Sequence, residues 1–146
     1  MKFMLDTNIF NTVVDQNISL PQGEDYKFFS TEVQYIEINK TKDKDRREFL
    51  LNTFDLIKPE IINSETALWG EFSWGEREFG YVSGDFIIIK EILDTLKYKK
   101  NNKEDALIAE ITIKYDFILI TNDSNLRKSF KRINKFALSF GEFLDK

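Results

Sequence analysis

The 146-residue chain contains no cysteine and no histidine. The first absence excludes disulfides and thiol nucleophiles. The second removes imidazole acid/base catalysis and Ser-His-Asp triads, and the two together remove zinc sites built on His or Cys. Proline occurs twice, and no apolar run approaches the ~20 residues of a membrane span. The N-terminus meets its first acid at Asp6, too early for the apolar core of a signal peptide, so the expected location is the cytoplasm. Net charge is −4, from 21 basic and 25 acidic residues, which supplies no global basic field. A nucleic-acid partner therefore needs a local basic rim. Catalysis, if present, must run on carboxylates, hydroxyls, Lys, Arg, Tyr or a bound hard cation.

What is present is an ordinary apolar fraction, 42%, in a length that predicts one domain spanning residues 1–146. Lys2 to Leu5 reads as a buried strand that stops at Asp6-Thr7-Asn8 and feeds a helix around Ile9 to Asp15. Tyr26 to Ser30 reads as a second strand, and Thr31-Glu32-Val33-Gln34 has the capping-box pattern of a helix start, which places Glu37 inside that helix. A helix follows from Asp43 to Leu56, with a short strand at Glu60 to Asn63. Ser64 to Gly84, with four glycines and with Trp69 and Trp74 read as core or interface aromatics, fits no element. Asp85 to Tyr98 repeats Ile88, Ile92 and Leu96 at helical spacing. Asn102 caps an acidic first turn, Glu104-Asp105, ahead of an apolar helix to Ile113. Phe117 to Ile120 is the strongest strand signal, and a helix turn begins near Ser124. Phe136 to Leu138 reads as a last strand before a turn at Gly141. Alternating strands and helices predict an α/β fold with a parallel sheet covered on both faces.

Two apolar strands run into acids, Leu5 into Asp6 and Ile120 towards Asp123. Ligands of open parallel sheets bind beyond the carboxyl ends of the strands. Acids early in the following helices, Glu37 and Asp105, are expected to join Asp6 and Asp123 in one concave space. Such a cluster is costly when empty, because like charges raise one another's pKa above an apolar floor. With only oxygen donors on offer, Mg²⁺ or Mn²⁺ is the natural occupant and a phosphate ester the natural substrate. The plainer alternative for each acid taken alone is a helix cap, a dipole partner or a solvated face. Glu104 lies about 100° around the helix from Asp105, so the two are not expected to face the same site and one of them is expected at the surface.

Basic residues cluster locally: Lys40, Lys42, Lys44, Arg46 and Arg47; Lys97, Lys99, Lys100 and Lys103; Arg127, Lys128, Lys131, Arg132 and Lys135. Most charge runs are solvated surface. The second and third flank Asp105 and Asp123, so Lys97, Lys99, Lys100, Lys103, Arg127, Lys128 and Lys131 are the expected nucleic-acid rim.

Met4-Leu5-Asp6-Thr7-Asn8-Ile9-Phe10 resembles the opening strand and turn of the PIN-domain family. Thr31 through Glu37 is similar to the family's second motif, Asp105-Ala106-Leu107-Ile108-Ala109 to its third, and Ile118-Leu119-Ile120-Thr121-Asn122-Asp123 to its fourth, all in the right order. The resemblance implies a three-layer α/β/α fold around a parallel sheet of about five strands. It also implies a metal-dependent nuclease site in which Asp6, Glu37, Asp105 and Asp123 are the catalytic and metal-binding acids. Many relatives of this size are VapC-like toxins of type II toxin–antitoxin pairs, endoribonucleases inhibited by a small partner protein. The expected activity is thus Mg²⁺- or Mn²⁺-dependent hydrolysis of RNA, with Asn8, Thr121 and Ser124 supporting the acids or touching phosphate. A small antitoxin and a homodimer are left open as partners.

Two rival readings remain. In a haloacid-dehalogenase-like phosphatase Asp6 would be a nucleophile, but that class wants an acid two positions later, where this chain has Asn8. A catalytically inactive PIN-like module that binds RNA or protein has no reason to bear the electrostatic cost of clustered acids.

Overall fold

The computed structural model describes residues 1–63 and 103–145, with the backbone alone at Lys103. The sequence readings for Ser64–Gly84, for a helix over Asp85–Tyr98, for the Asn102 cap and for Lys97, Lys99 and Lys100 lie outside the described residues.

The described elements run β1 (Lys2–Leu5), α1 (Thr7–Gln16), β2 (Lys27–Thr31), α2 (Glu32–Asn39), α3 (Lys44–Ile57), β3 (Glu60–Ile62), α4 (Lys103–Lys114), β4 (Ile118–Ile120), α5 (Ser124–Arg132), β5 (Ala137–Leu138) and α6 (Phe140–Leu144). The strands form one five-stranded sheet in the order β3-β2-β1-β4-β5, and every neighbouring pair is parallel. β1 is central. The chain builds outward from it through β2 and β3, then returns to its other side with β4.

Alternation along the strands splits the core in two, since successive side chains point to opposite faces. Phe3, Leu5 and Ile120 pack with Ile9, Phe10 and Val13 of α1, Leu50 and Phe54 of α3, and Phe140 and Phe143 of α6. Met4 and Leu119 face the other way, onto Ala106, Leu107, Ile108 and Ala109 of α4 and Leu126 and Phe130 of α5. The result is the α/β/α layering that the alternation of elements predicts. Truncating a side chain as deep as Phe130, which is fully buried, typically costs about 3–5 kcal/mol.

Helix starts follow the capping residues. Asp6, Thr31, Asp43, Asp123 and Ser139 each accept a backbone N–H from the first turn they precede. α1 starts at Thr7, two residues ahead of the expected Ile9, because Asp6 is itself the cap. Gly141 does not form the turn that its residue type suggests. It sits inside α6, where Ser139 and Glu142 make a reciprocal capping box and its backbone is helical. A glycine in a first turn is tolerated once the cap satisfies the free donors.

Candidate active site

β1 and β4 are adjacent strands whose following connections leave in different directions, which makes their carboxyl ends the switch point of the sheet. The Asp6 N–H continues the ladder by donating to the Ile120 carbonyl, at 3.0 Å. This places Asp6 beside Thr121 and one turn of chain from Asp123.

Asp6 is only 5% exposed. Its Oδ1 accepts the Thr7 N–H at 2.8 Å, while Oδ2 accepts the Thr121 hydroxyl at 2.6 Å and the Asn8 amide at 3.1 Å. Burial pushes its pKa up to about 6, and the charges of Asp105 and Asp123 push in the same direction against the hydrogen bonds from Thr121 and Thr7. A carboxylate with three donors ordinarily titrates low, so here desolvation and repulsion outweigh them.

Glu37 stands on α2 with Oε1 accepting the Thr7 hydroxyl at 2.9 Å. Its pKa is raised to about 7, first by burial and then by Asp6, Asp105 and Glu104, with the Thr7 hydrogen bond acting in opposition. Thr7 thus ties two acids together: its N–H holds Asp6 and its hydroxyl holds Glu37. Sequence reasoning misses it, although its place immediately after Asp6 is a signal.

Asp105 is half-buried in the first turn of α4 and acts on both Asp6 and Glu37 through its charge. Glu104 is half-buried too, so neither of the pair is the exposed one that the rotation predicts, and its charge reaches Glu37. A rotation of 100° removes direct contact but not a field between poorly solvated groups. Asp123 caps α5, with Oδ1 accepting the N–H groups of Asn125 at 2.9 Å and Leu126 at 3.3 Å.

The supporting shell is polar and closed on itself. The buried Thr121 hydroxyl donates to Asp6 and accepts the Asp123 N–H at 3.0 Å and the Asn8 amide at 3.3 Å. The Asn8 Oδ1 accepts the Asn122 N–H at 3.1 Å. Asn122, which is not among the expected site residues, donates to the Thr12 hydroxyl at 2.9 Å and accepts the Phe140 N–H at 3.1 Å, so it locks this edge to α1 and α6. Ser124 opens α5. Of the expected rim, Arg127 donates to the Thr121 carbonyl at 2.8 Å, and Lys128 and Lys131 are exposed on α5.

The four acids therefore share one electrostatic field at one edge of the sheet. Among the described residues no three His, Cys, Asp or Glu side chains stand close enough to hold a metal ion as placed.

Comparison with known proteins gives a fold. No family model matches the chain, and no curated protein does. Among solved structures, VapBC2 from Rickettsia felis, crystallised with a DNA fragment from its promoter, matches at 22% identity and a TM-score of 0.53, over 95% of this chain and 98% of that one. VapBC-5 from Mycobacterium tuberculosis, a toxin–antitoxin system, matches at 17% identity and 0.51, over 94% and 96%. VapBC-1 from nontypeable Haemophilus influenzae matches at 17% and 0.51, over 97% and 99%. The chain has a VapC-like PIN fold. That fold is the one the four acid motifs imply.

Proposed function

We propose that the protein is a metal-dependent endoribonuclease, acting as the toxin of a toxin–antitoxin pair. The observation that carries the reading is Asp6: a carboxylate at the switch point of a VapC-like fold, held by Thr7, Asn8 and Thr121 and raised to about 6 by burial and then by the charges of Asp105 and Asp123. Raised acids in a crevice mark sites where positive charge is wanted.

The donor set fits a hard divalent cation. Every candidate ligand is a carboxylate oxygen, and Asp6, Asp105, Asp123 and Glu37 are the residues that would hold Mg²⁺ or Mn²⁺. When bound, such an ion supplies a nucleophilic hydroxide near neutral pH and stabilises charge on the reacting phosphate. The protein's own residues do the rest. Thr121 and Asn8 fix the Asp6 carboxylate, and Thr7 holds Glu37 through Oε1. Glu37, held by Thr7, would complete the cation's shell or orient the attacking water. In-line attack by water leaves a 5′-phosphate and a 3′-hydroxyl. The phosphatase alternative is not favoured, because Asn8 is an amide occupied by Asp6 and Asn122 and cannot supply a proton as an acid would.

The VapBC neighbours support a small antitoxin as partner, and the cytoplasm follows from that reading. No helix among the described residues is long and apolar enough to cross a membrane.

The test is cleavage of end-labelled RNAs with Mn²⁺ or Mg²⁺ against EDTA. Cation-dependent cutting that leaves 5′-phosphates, abolished by Asp6→Asn, is expected. An inactive chain under both cations would return the protein to the class of inactive PIN-like binding modules, and an Asp6→Asn variant that cuts like the parent would remove Asp6 from the catalytic site.

A further inference from the structure

Gln34 is a fully buried polar side chain whose place in the sequence suggests only a helix cap. Its Oε1 does accept the Thr31 N–H at 2.9 Å, as a capping box requires, and also the Thr31 hydroxyl at 2.5 Å. The other end of the amide does something that the capping box does not ask for. Its Nε2 donates to the carbonyl of Leu5 at 2.9 Å and lies 3.4 Å from the Met4 sulfur. Leu5 is the residue before Asp6. The paired register of β1 and β2 ends with Met4 opposite Phe29, and beyond it this one amide bridges the Leu5 carbonyl and the Thr31 N–H. Gln34 also lies one helical turn ahead of Glu37, on the same side of α2.

We propose that Gln34 is a positioning residue of this site, whose amide sets the separation between Asp6 at the end of β1 and Glu37 on α2; the role rests on the nuclease reading above. Both halves of the amide are needed, one acceptor towards Thr31 and one donor towards Leu5. Glutamate, equally at home in a capping box, presents an oxygen to the Leu5 carbonyl and adds a buried charge beside two acids that already repel. The chemistry of the position therefore selects glutamine.

The test compares Gln34→Met, which keeps the volume and removes both hydrogen-bonding ends, with Gln34→Glu, which keeps only the half facing Thr31. Leu50→Ala in α3, away from the Gln34 amide and its partners, serves as a control destabilised by packing alone. All are assayed as full-length protein where circular dichroism shows them folded. Misplacement by about 1 Å can cost ~100-fold in rate. Both Gln34 variants are expected to lose about 10- to 100-fold in kcat on RNA with Mn²⁺ while KM holds within about threefold, and to bind Mn²⁺ more weakly by calorimetry. The control keeps parental kcat and Mn²⁺ affinity. An active parent with Gln34→Met or Gln34→Glu at parental kcat and affinity overturns the positioning role and leaves the nuclease reading standing. A parent that neither cuts RNA nor binds Mn²⁺ overturns the nuclease reading, and the role with it.

Discussion

Asp6 and Asp123 follow neighbouring parallel strands, and each caps the helix that leaves its strand. Asp123 spends one oxygen on two N–H groups in the first turn of α5, as a helix cap does. Asp6 takes a single N–H from the residue beside it. Its other oxygen is held by side chains that β4 and α1 bring in, and it lies deeper, on the central strand. The same local motif, an apolar strand running into Asp, therefore gives two helix caps in different settings: one oxygen of Asp123 takes two N–H groups of its helix, while Asp6 is buried and also held by side chains from other elements. The difference arises at the strand ends: Asp6 directly follows β1 and continues its ladder to the Ile120 carbonyl, whereas Asp123 lies three residues beyond the end of β4.

The sharpest way to break this comparison is to neutralise each acid in turn. Asp6→Asn is expected to lower RNA cleavage at least ~10³-fold, on the scale of removing a central electrostatic group. In EDTA above pH 7 the same variant should gain stability, on the order of 1 kcal/mol, because a penalised buried charge is gone. Asp123→Asn should lose activity too but gain less, because its charge is the smallest of the effects that raise Asp6. Equal metal-free melting shifts for both variants would erase the distinction between the two acids.

The pH dependence tests the same point through linkage. Asp6 and Glu37 have folded-state pKa values raised to about 6 and about 7, above the 3.8 and 4.5 of the unfolded chain. Between those values the folded state binds more protons than the unfolded one, so stability falls as pH rises. Metal-free Tm should therefore decline from about pH 4.5 to about pH 7 and then level off. Asp15, paired with Arg46, and Glu142, held by Ser139, are shifted downwards and act in the opposite sense, in the more acidic range. In Asp6→Asn the decline should shrink, with the remainder centred near the Glu37 range. A flat metal-free profile across this window in the parent would show that neither acid is penalised.

A smaller effect separates capping from chemistry at Asp123. Asn caps a helix about as well as Asp, whereas Ala costs typically ~1 kcal/mol. Asp123→Ala should thus melt lower than Asp123→Asn, with both inactive. Identical melting curves would mean that the two N–H bonds to Oδ1 contribute nothing to α5.

Much of this is legible in the sequence, for a physical reason. Apolar runs that stop at Asp, Thr or Ser report both the strand and the cap, so Asp6, Thr31 and Asp123 mark element boundaries and the sheet edge together. Glu37 follows from the Thr31–Gln34 capping box, and Asp105 from its place in an acidic first turn. Bonds that depend on the spacing between elements are not legible. The Thr7 hydroxyl meets Glu37 across 30 residues of chain, and the Asn122 amide meets Thr12 across 110. Gln34 is visible as a cap, but its second bond requires knowing that β1 lies beside β2. Gly141 misleads because glycine signals turns, while the Ser139-x-x-Glu142 pattern around it carries the stronger, local signal for a helix.

The weakest expected effect concerns how an acidic chain holds a polyanion. Arg127 already donates to the Thr121 carbonyl, and Glu142 feels its charge, so part of its role is to brace the site. Lys128 and Lys131 lie three residues apart on α5 with exposed side chains, close in sequence to Asp123 and on one side of the helix. Arg46 is a poor substitute anchor, since Asp15 and Asn11 already occupy its guanidinium at 2.7 Å each. RNA affinity should be measured in the Asp6→Asn background, where cutting does not intrude. Each phosphate neutralised on a single strand contributes about −0.7 to the slope of log affinity against log salt. Lys128→Gln with Lys131→Gln should flatten that slope by about 0.7 for each phosphate left without its lysine, and weaken binding evenly across sequences. A slope unchanged by the double substitution makes these lysines solvated surface and moves the rim off α5, since an exposed lysine that releases no counterion from the RNA is not facing its backbone.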